Sequence, residues 1–212
     1  MLSKKFLLPA FLGAEAVLYV LILTAGGALL MWSSFLSIVL CGLFAFLSGR
    51  NPWVRAGLIC TVAADFFLVL LGEKLPGMVF FLAAQTFYAY MLHREKPSGI
   101  FLWLRIGAVA VIQIVALGVL GEKTDALALI SVAYYVMLIV NLIQSFGQRK
   151  ILSLAFLLFL LCDTVIGLQV AATGYLPISA DSALFQILFM PFNLAWFFYL
   201  PSQVLISLQS KH

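Results

Sequence analysis

Runs of about 20 consecutive apolar residues, separated by short polar breaks, dominate this chain, and that is the length an α-helix needs to cross the hydrocarbon core of a bilayer. Eight such runs are legible: Phe6–Thr24, Leu29–Ser48, Trp53–Leu71, Pro76–Leu92, Ile100–Leu120, Ala126–Ser145, Ile151–Ala172 and Leu184–Leu208. They take up most of the 212 residues, which leaves a single integral membrane domain and no room for a separate soluble one. Only 9% of residues are charged, far below the roughly 25% of a water-facing domain. Strands are disfavoured, because a membrane barrel needs alternating segments of about ten residues and these runs are apolar at successive positions. The expected fold is all-α: a polytopic bundle of eight transmembrane helices.

The chain opens on a basic stretch and an Ala14-Glu15-Ala16 that imitates a signal cleavage site. The apolar run continues through Leu23, past the roughly 7–15 residues of a signal core, so it reads as a retained first helix. Basic residues divide sharply between alternate loops. One set holds Lys4, Lys5, Arg50, Arg55, Arg94, Lys96, Arg149, Lys150, Lys211 and, if its side chain reaches back toward the start of its helix, Arg105; the other holds Lys74 and Lys123. By the positive-inside rule this predicts both termini in the cytoplasm, an even number of spans and, in a bacterium, residence in the cell membrane. The basic residues form no stripe, which argues against nucleic acid as a partner. Cys41, Cys60 and Cys162 all fall inside apolar runs, and the histidines are His93 and His212 alone, so neither a disulfide framework nor a metal cage is expected. No cofactor motif is present.

Three acids lie within the spans, where a charge costs roughly 2.5–3.5 kcal/mol on insertion scales and therefore asks for a reason. Asp65 comes ten residues after Arg55, Glu15 ten after Lys5 and Asp163 thirteen after Lys150. At about 1.5 Å per residue all three reach a similar depth near the midplane, where they can meet only inside the bundle. Asp65 and Asp163 are 98 residues apart, and the same offset carries Glu15 onto Gln113, which suggests a parallel four-plus-four repeat. Gln85 with Tyr88, and Tyr199 with Gln203, share helix faces; with Asn193 they are candidate lining for a polar cavity. Interhelical hydrogen bonding accounts for such amides and phenols as well. Two aspartates at one depth are harder to explain as packing, since packing needs no group that ionises. Pro191 and Pro201 each remove a backbone donor within the predicted eighth helix, freeing carbonyls for protein or water. Gly167, and Ala63 with Ala64, leave space beside the two aspartates.

The stretch AADFFLVLLGEKLPGMVFFLAAQTFYAYML, then FLLFLLCDTVIGL around Asp163 and FYLPSQVLIS around Tyr199, resembles the signatures of the lysoplasmalogenase (YhhN-like) membrane family. Ala64 and Cys162 depart from the Gly and Ser that usually precede the family's two aspartates, and ALLMWSS replaces the Lys-Pro that often enters the second helix. The resemblance implies eight helices and a metal-free hydrolysis of the vinyl ether bond of lysoplasmalogens, giving a fatty aldehyde and a glycerophospho-headgroup compound. A lysophospholipid or related lipid would be the substrate and membrane lipids the surroundings. Cleaving a vinyl ether requires a proton delivered to the alkene carbon and water delivered to the resulting oxocarbenium ion, work suited to two carboxyls with different roles. Asp65 and Asp163 are the expected catalytic pair, with Glu15, Gln85, Tyr88, Asn193, Tyr199 and Gln203 around the substrate. The competing reading is a small proton-coupled transporter or lipid carrier using the same midplane acids. An intramembrane aspartyl protease fits poorly, because Ala64-Asp65 and Cys162-Asp163 match neither of its motifs.

Overall fold

Inside a bilayer the backbone must satisfy its own polar groups, and this chain does so with helices. The structure is a computed structural model that describes residues 4–121, 124–174, 178–179 and 181–211. Lys123, one of the two basic residues in the sparse set, lies outside the described residues. The elements are α1 (Lys4–Thr24), α2 (Gly27–Ser48), α3 (Pro52–Asp65) continuing as a π-helical turn (Phe66–Leu71), α4 (Lys74–Glu95), α5 (Gly99–Leu120), α6 (Ala126–Phe146), α7 (Lys150–Gly174), α8 (Ala183–Leu188), α9 (Leu194–Leu208) and a closing 3-10 turn (Gln209–Lys211). No strand occurs among the described residues. Seven of the helical segments are long and apolar enough to cross a membrane.

The eighth predicted helix departs from expectation. A continuous helix over 184–208 is replaced by α8, a break at residues 189–193, and α9. Pro191 lies inside the break. With no N–H to donate and a preceding residue biased away from helical geometry, it stops the helix inside the apolar run. Asn193 restarts it by accepting a hydrogen bond from the Trp196 amide at 3.2 Å. Pro201, by contrast, is carried within α9, and Pro9 within α1.

Other boundaries have local causes. Asn51 accepts from the amides of Trp53 and Val54 at 3.1 and 3.3 Å, with Pro52 in the first helical position. Asp125 does the same for Ala128 at 2.7 Å. The π turn ends at Gly72, whose φ of +71° is open to glycine at little cost.

Packing repeats between the halves. Within the first, α1 packs on α2, α2 on α3 and α3 most extensively on α4; within the second, α5 packs on α6, α6 on α7 and α7 most extensively on α9. The halves join through α4 against α6 and α2 against α9. One end of the bundle gathers the chain end and alternate loops. The Ser210 carbonyl accepts from the amides of Arg50 and Asn51 at 2.7 and 2.9 Å, Arg149 pairs with Glu95 at 2.8 Å, and Lys211 stands over the Phe44 ring. The start of α1 reaches the same end, where Leu7 and Leu8 border a hollow with Phe44, Ser48 and Lys211. Large apolar side chains cover the outside, as a lipid-facing surface requires. The extreme is α5, which packs chiefly on α6 and has only 6% of its apolar stretch buried.

Candidate functional site

Asp65 is the last α-helical residue of α3, immediately before the π turn. A π turn inserts extra backbone into a helix, re-aiming the side chains around it, and is common at functional sites. The Asp65 side chain is 3% exposed, and its Oδ2 accepts a hydrogen bond from the Tyr199 hydroxyl of α9 at 2.7 Å. Asp163, from α7, is only half-buried, and its Oδ2 accepts from the Tyr134 hydroxyl of α6. Each carboxyl is therefore held by one phenol from a different helix.

The two arrangements meet at a shared aromatic box. The Phe159 ring lies 6.3 Å from that of Tyr134 and 5.4 Å from that of Tyr199, and the Phe81 ring lies 5.6 and 6.3 Å from the same two. Tyrosine rings packed on common phenylalanines have little freedom to swing their hydroxyls away. Glu15 of α1 is engaged by Cys41 of α2, whose thiol donates to Glu15 Oε1 at 3.5 Å. Glu15 is 4% exposed and its Oε2 has no partner among the described residues. Each of the three acids within the spans is thus bound by a side chain from another helix.

The remaining candidates divide by position. Tyr199 sits on Asp65, and Gln203, one turn further along α9, is fully buried with its amide donating to Ser202 Oγ at 3.1 Å. Gln85 lies apart, its Oε1 accepting from Asn141 Nδ2 at 2.9 Å. Tyr88 is fully buried against Phe156 and Gly57, and Gly57 is eight residues, or about 12 Å of helix, from Asp65. Asn193 is the cap of α9. Tyr134, Phe81 and Phe159 were not singled out from the sequence. Tyr134 was findable, since it shares a face of α6 with Asn141 and Ser145 at helical spacing.

Access is asymmetric. Asp65 is closed under Tyr199, whereas a Cβ built at Gly167, one turn beyond Asp163, would meet no atom within 4 Å. The flank of α7 at Asp163 and Gly167 is the open side of the pair. Two surface hollows, of about 540 and 180 Å³, lie at the basic end and are bordered by Arg149, Lys150, Ile151 and Gln209 and by the Lys211 group; neither is lined by an aspartate. Among the described residues no three His, Cys, Asp or Glu side chains are grouped to hold a metal ion.

An all-helical multi-pass membrane protein whose interior joins two tyrosine-bound aspartates is the class that fold and site define. The family model that matches the chain, over residues 25–209, is that of the YhhN family. The chain belongs to the YhhN family. No curated protein and no solved structure matches it.

Proposed function

We propose that this protein is a membrane-embedded lipid hydrolase that cleaves the vinyl ether bond of lysoplasmalogens, with Asp65 and Asp163 as its catalytic pair. The observation that carries the reading is the pair itself: two interior carboxyls from α3 and α7, each bound by a tyrosine and joined by one aromatic box. Membership of the YhhN family, and the likeness of its motifs to lysoplasmalogenase signatures, support the substrate class.

The chemistry runs as an addition of water. One carboxyl, in its acid form, gives its proton to the alkene carbon remote from the ether oxygen, and that oxygen supplies electrons to the carbon it is bonded to, giving an oxocarbenium ion. The other carboxylate takes a proton from water as that water bonds to the cationic carbon, and the resulting hemiacetal collapses to aldehyde and free alcohol. Each tyrosine engages one carboxyl oxygen and so fixes which way the other points. The lipid enters from the α7 flank at Gly167, its chain staying in an apolar surround.

Loss of either phenol tests this positioning role. Tyr134→Phe and Tyr199→Phe should each lower kcat roughly ten- to hundredfold with KM little changed, since a hydrogen bond to a charged group contributes about 1.5–3 kcal/mol and its loss here falls on turnover. Unchanged kcat in both would remove the tyrosines from the mechanism. The gathering of basic residues at one end supports both termini lying in the cytoplasm, on that side. Reporter fusions at the C-terminal end and in the 121–125 loop should then report opposite sides of the membrane; a shared side would mean a different number of spans.

The repeated packing of the two halves and the break between α8 and α9 favour a second reading, a proton-coupled carrier of lipid or small solute. Proton-dependent movement of a lysolipid across a vesicle membrane, with no product formed, would replace the hydrolase reading by this one.

A further inference from the structure

Arg105 of α5 is 8% exposed within an apolar span, and no carboxylate faces it among the described residues, where the ion pair formed is that of Arg149 with Glu95. Its guanidinium bends back toward the start of its helix, as a snorkelling side chain would, yet stops inside the protein. Nη1 donates to the Phe101 carbonyl at 3.2 Å, and Nη2 donates to Asn141 Oδ1 at 2.7 Å and Gln144 Oε1 at 2.6 Å. Asn141 in turn donates to the Gln85 side chain and backbone carbonyl, both at 2.9 Å. Three donors in this cluster are buried with no partner among the described residues: Arg105 Nε, Gln144 Nε2 and Gln85 Nε2. A buried cation held by neutral oxygens alone, and buried N–H groups with no acceptor, are each costly. Donors without acceptors around a fixed cation are what an anionic oxygen group requires.

We propose that Arg105, Gln144 and Gln85 form a binding site for the phosphate of a lysophospholipid headgroup. The choice of a lipid phosphate rests on the hydrolase reading above and on position. Asn141 lies seven residues after Tyr134 on α6, two helical turns or about 10 Å along the axis, and Tyr134 holds Asp163. A glycerol unit with its phosphate at one end and its ether at the other bridges such a span, so a phosphate held at Arg105 sets the ether beside the aspartates. The approach is from the membrane: α5 stands at the rim, packed chiefly on α6, with Leu104 and Ile106 on either side of Arg105 exposed.

The test is equilibrium binding to the full-length protein in detergent, with three probes: an ester lysophosphatidylethanolamine, the monoacylglycerol of the same chain, and inorganic phosphate. None carries a vinyl ether, so the result is independent of whether the protein hydrolyses one. The lysophospholipid should bind wild-type protein roughly tenfold or more tighter than the monoacylglycerol. Arg105→Gln should erase that preference while leaving monoacylglycerol binding as in wild type. Should this variant fail to fold, Gln144→Leu, which keeps the guanidinium and its contact to Asn141, should reduce the preference several-fold. Equal affinity of wild-type protein for the two lipids overturns the proposal whatever the variants do. Saturable binding of inorganic phosphate without a preference for the lysophospholipid would also overturn it, since the site would then take free phosphate. If the preference is present and depends on Arg105 but vinyl ether lysolipids are not cleaved, the headgroup site stands and the hydrolase reading falls.

Discussion

Asp65→Asn and Asp163→Asn should each abolish aldehyde release from a vinyl ether lysolipid. An amide cannot donate the proton that the alkene carbon needs, nor accept one from the attacking water, so either substitution removes an obligatory step. Folding should survive both. Asn keeps the shape of Asp and still accepts a hydrogen bond from Tyr199 or Tyr134 through its carbonyl, and a neutral side chain is easier to hold in a bundle than an unpaired charge. The double variant should be hardly worse than either single one, because groups acting as a unit lose nearly all of their effect at the first substitution. Turnover measured beside thermal unfolding in detergent checks both parts. Near-wild-type turnover in folded Asp163→Asn would end the two-carboxyl mechanism, and losses that simply add would assign the aspartates to packing.

The largest expected effect on stability comes from Gly57. A Cβ there would stand 2.2 Å from Tyr88 Cε1 and 2.5 Å from Cζ, far inside van der Waals contact. The ring cannot step aside, being fully buried between α3 and Phe156. Gly57→Ala should therefore destabilise by about 1–3 kcal/mol, as overpacking of a filled core does, and a larger side chain by more. Tyr88→Ala removes the obstructing ring, so the same Gly57→Ala change should cost much less in that background. A double-mutant cycle on unfolding free energy measures the coupling, which for residues in contact reaches about 0.5–3 kcal/mol. A Gly57→Ala protein as stable as wild type would show that α3 and α4 are not packed this closely.

Much of this architecture was legible because a bilayer imposes a length and polarity on every span. Asp65, Asp163 and Glu15 could be picked out as in-span acids by counting residues from basic anchors, and each has a partner from another helix, Tyr199, Tyr134 and Cys41 respectively. What periodicity does not carry is the fine geometry of the backbone. Pro191 was visible as a missing donor, but proline is tolerated in membrane helices, as Pro9 and Pro201 are here, and nothing in composition separates the proline that breaks from the two that do not. The π turn after Asp65 has no signature, since FFLVLL is an ordinary apolar stretch. The partners of polar residues were also hidden. Helical spacing pairs Gln85 with Tyr88 on one face, but it does not show that Gln85 joins Asn141 and, through it, Arg105. Which side chains meet across helices depends on rotation about each axis, which lies in packing.

The proposed activity breaks a vinyl ether and leaves an ester intact. Purified protein incubated in parallel with a lysoplasmalogen and with the ester lysolipid of the same headgroup and chain length should release fatty aldehyde from the first and no free fatty acid from the second, in the absence of added metal or cofactor. Fatty acid from the ester lysolipid, or no aldehyde from the vinyl ether in folded protein, would contradict it.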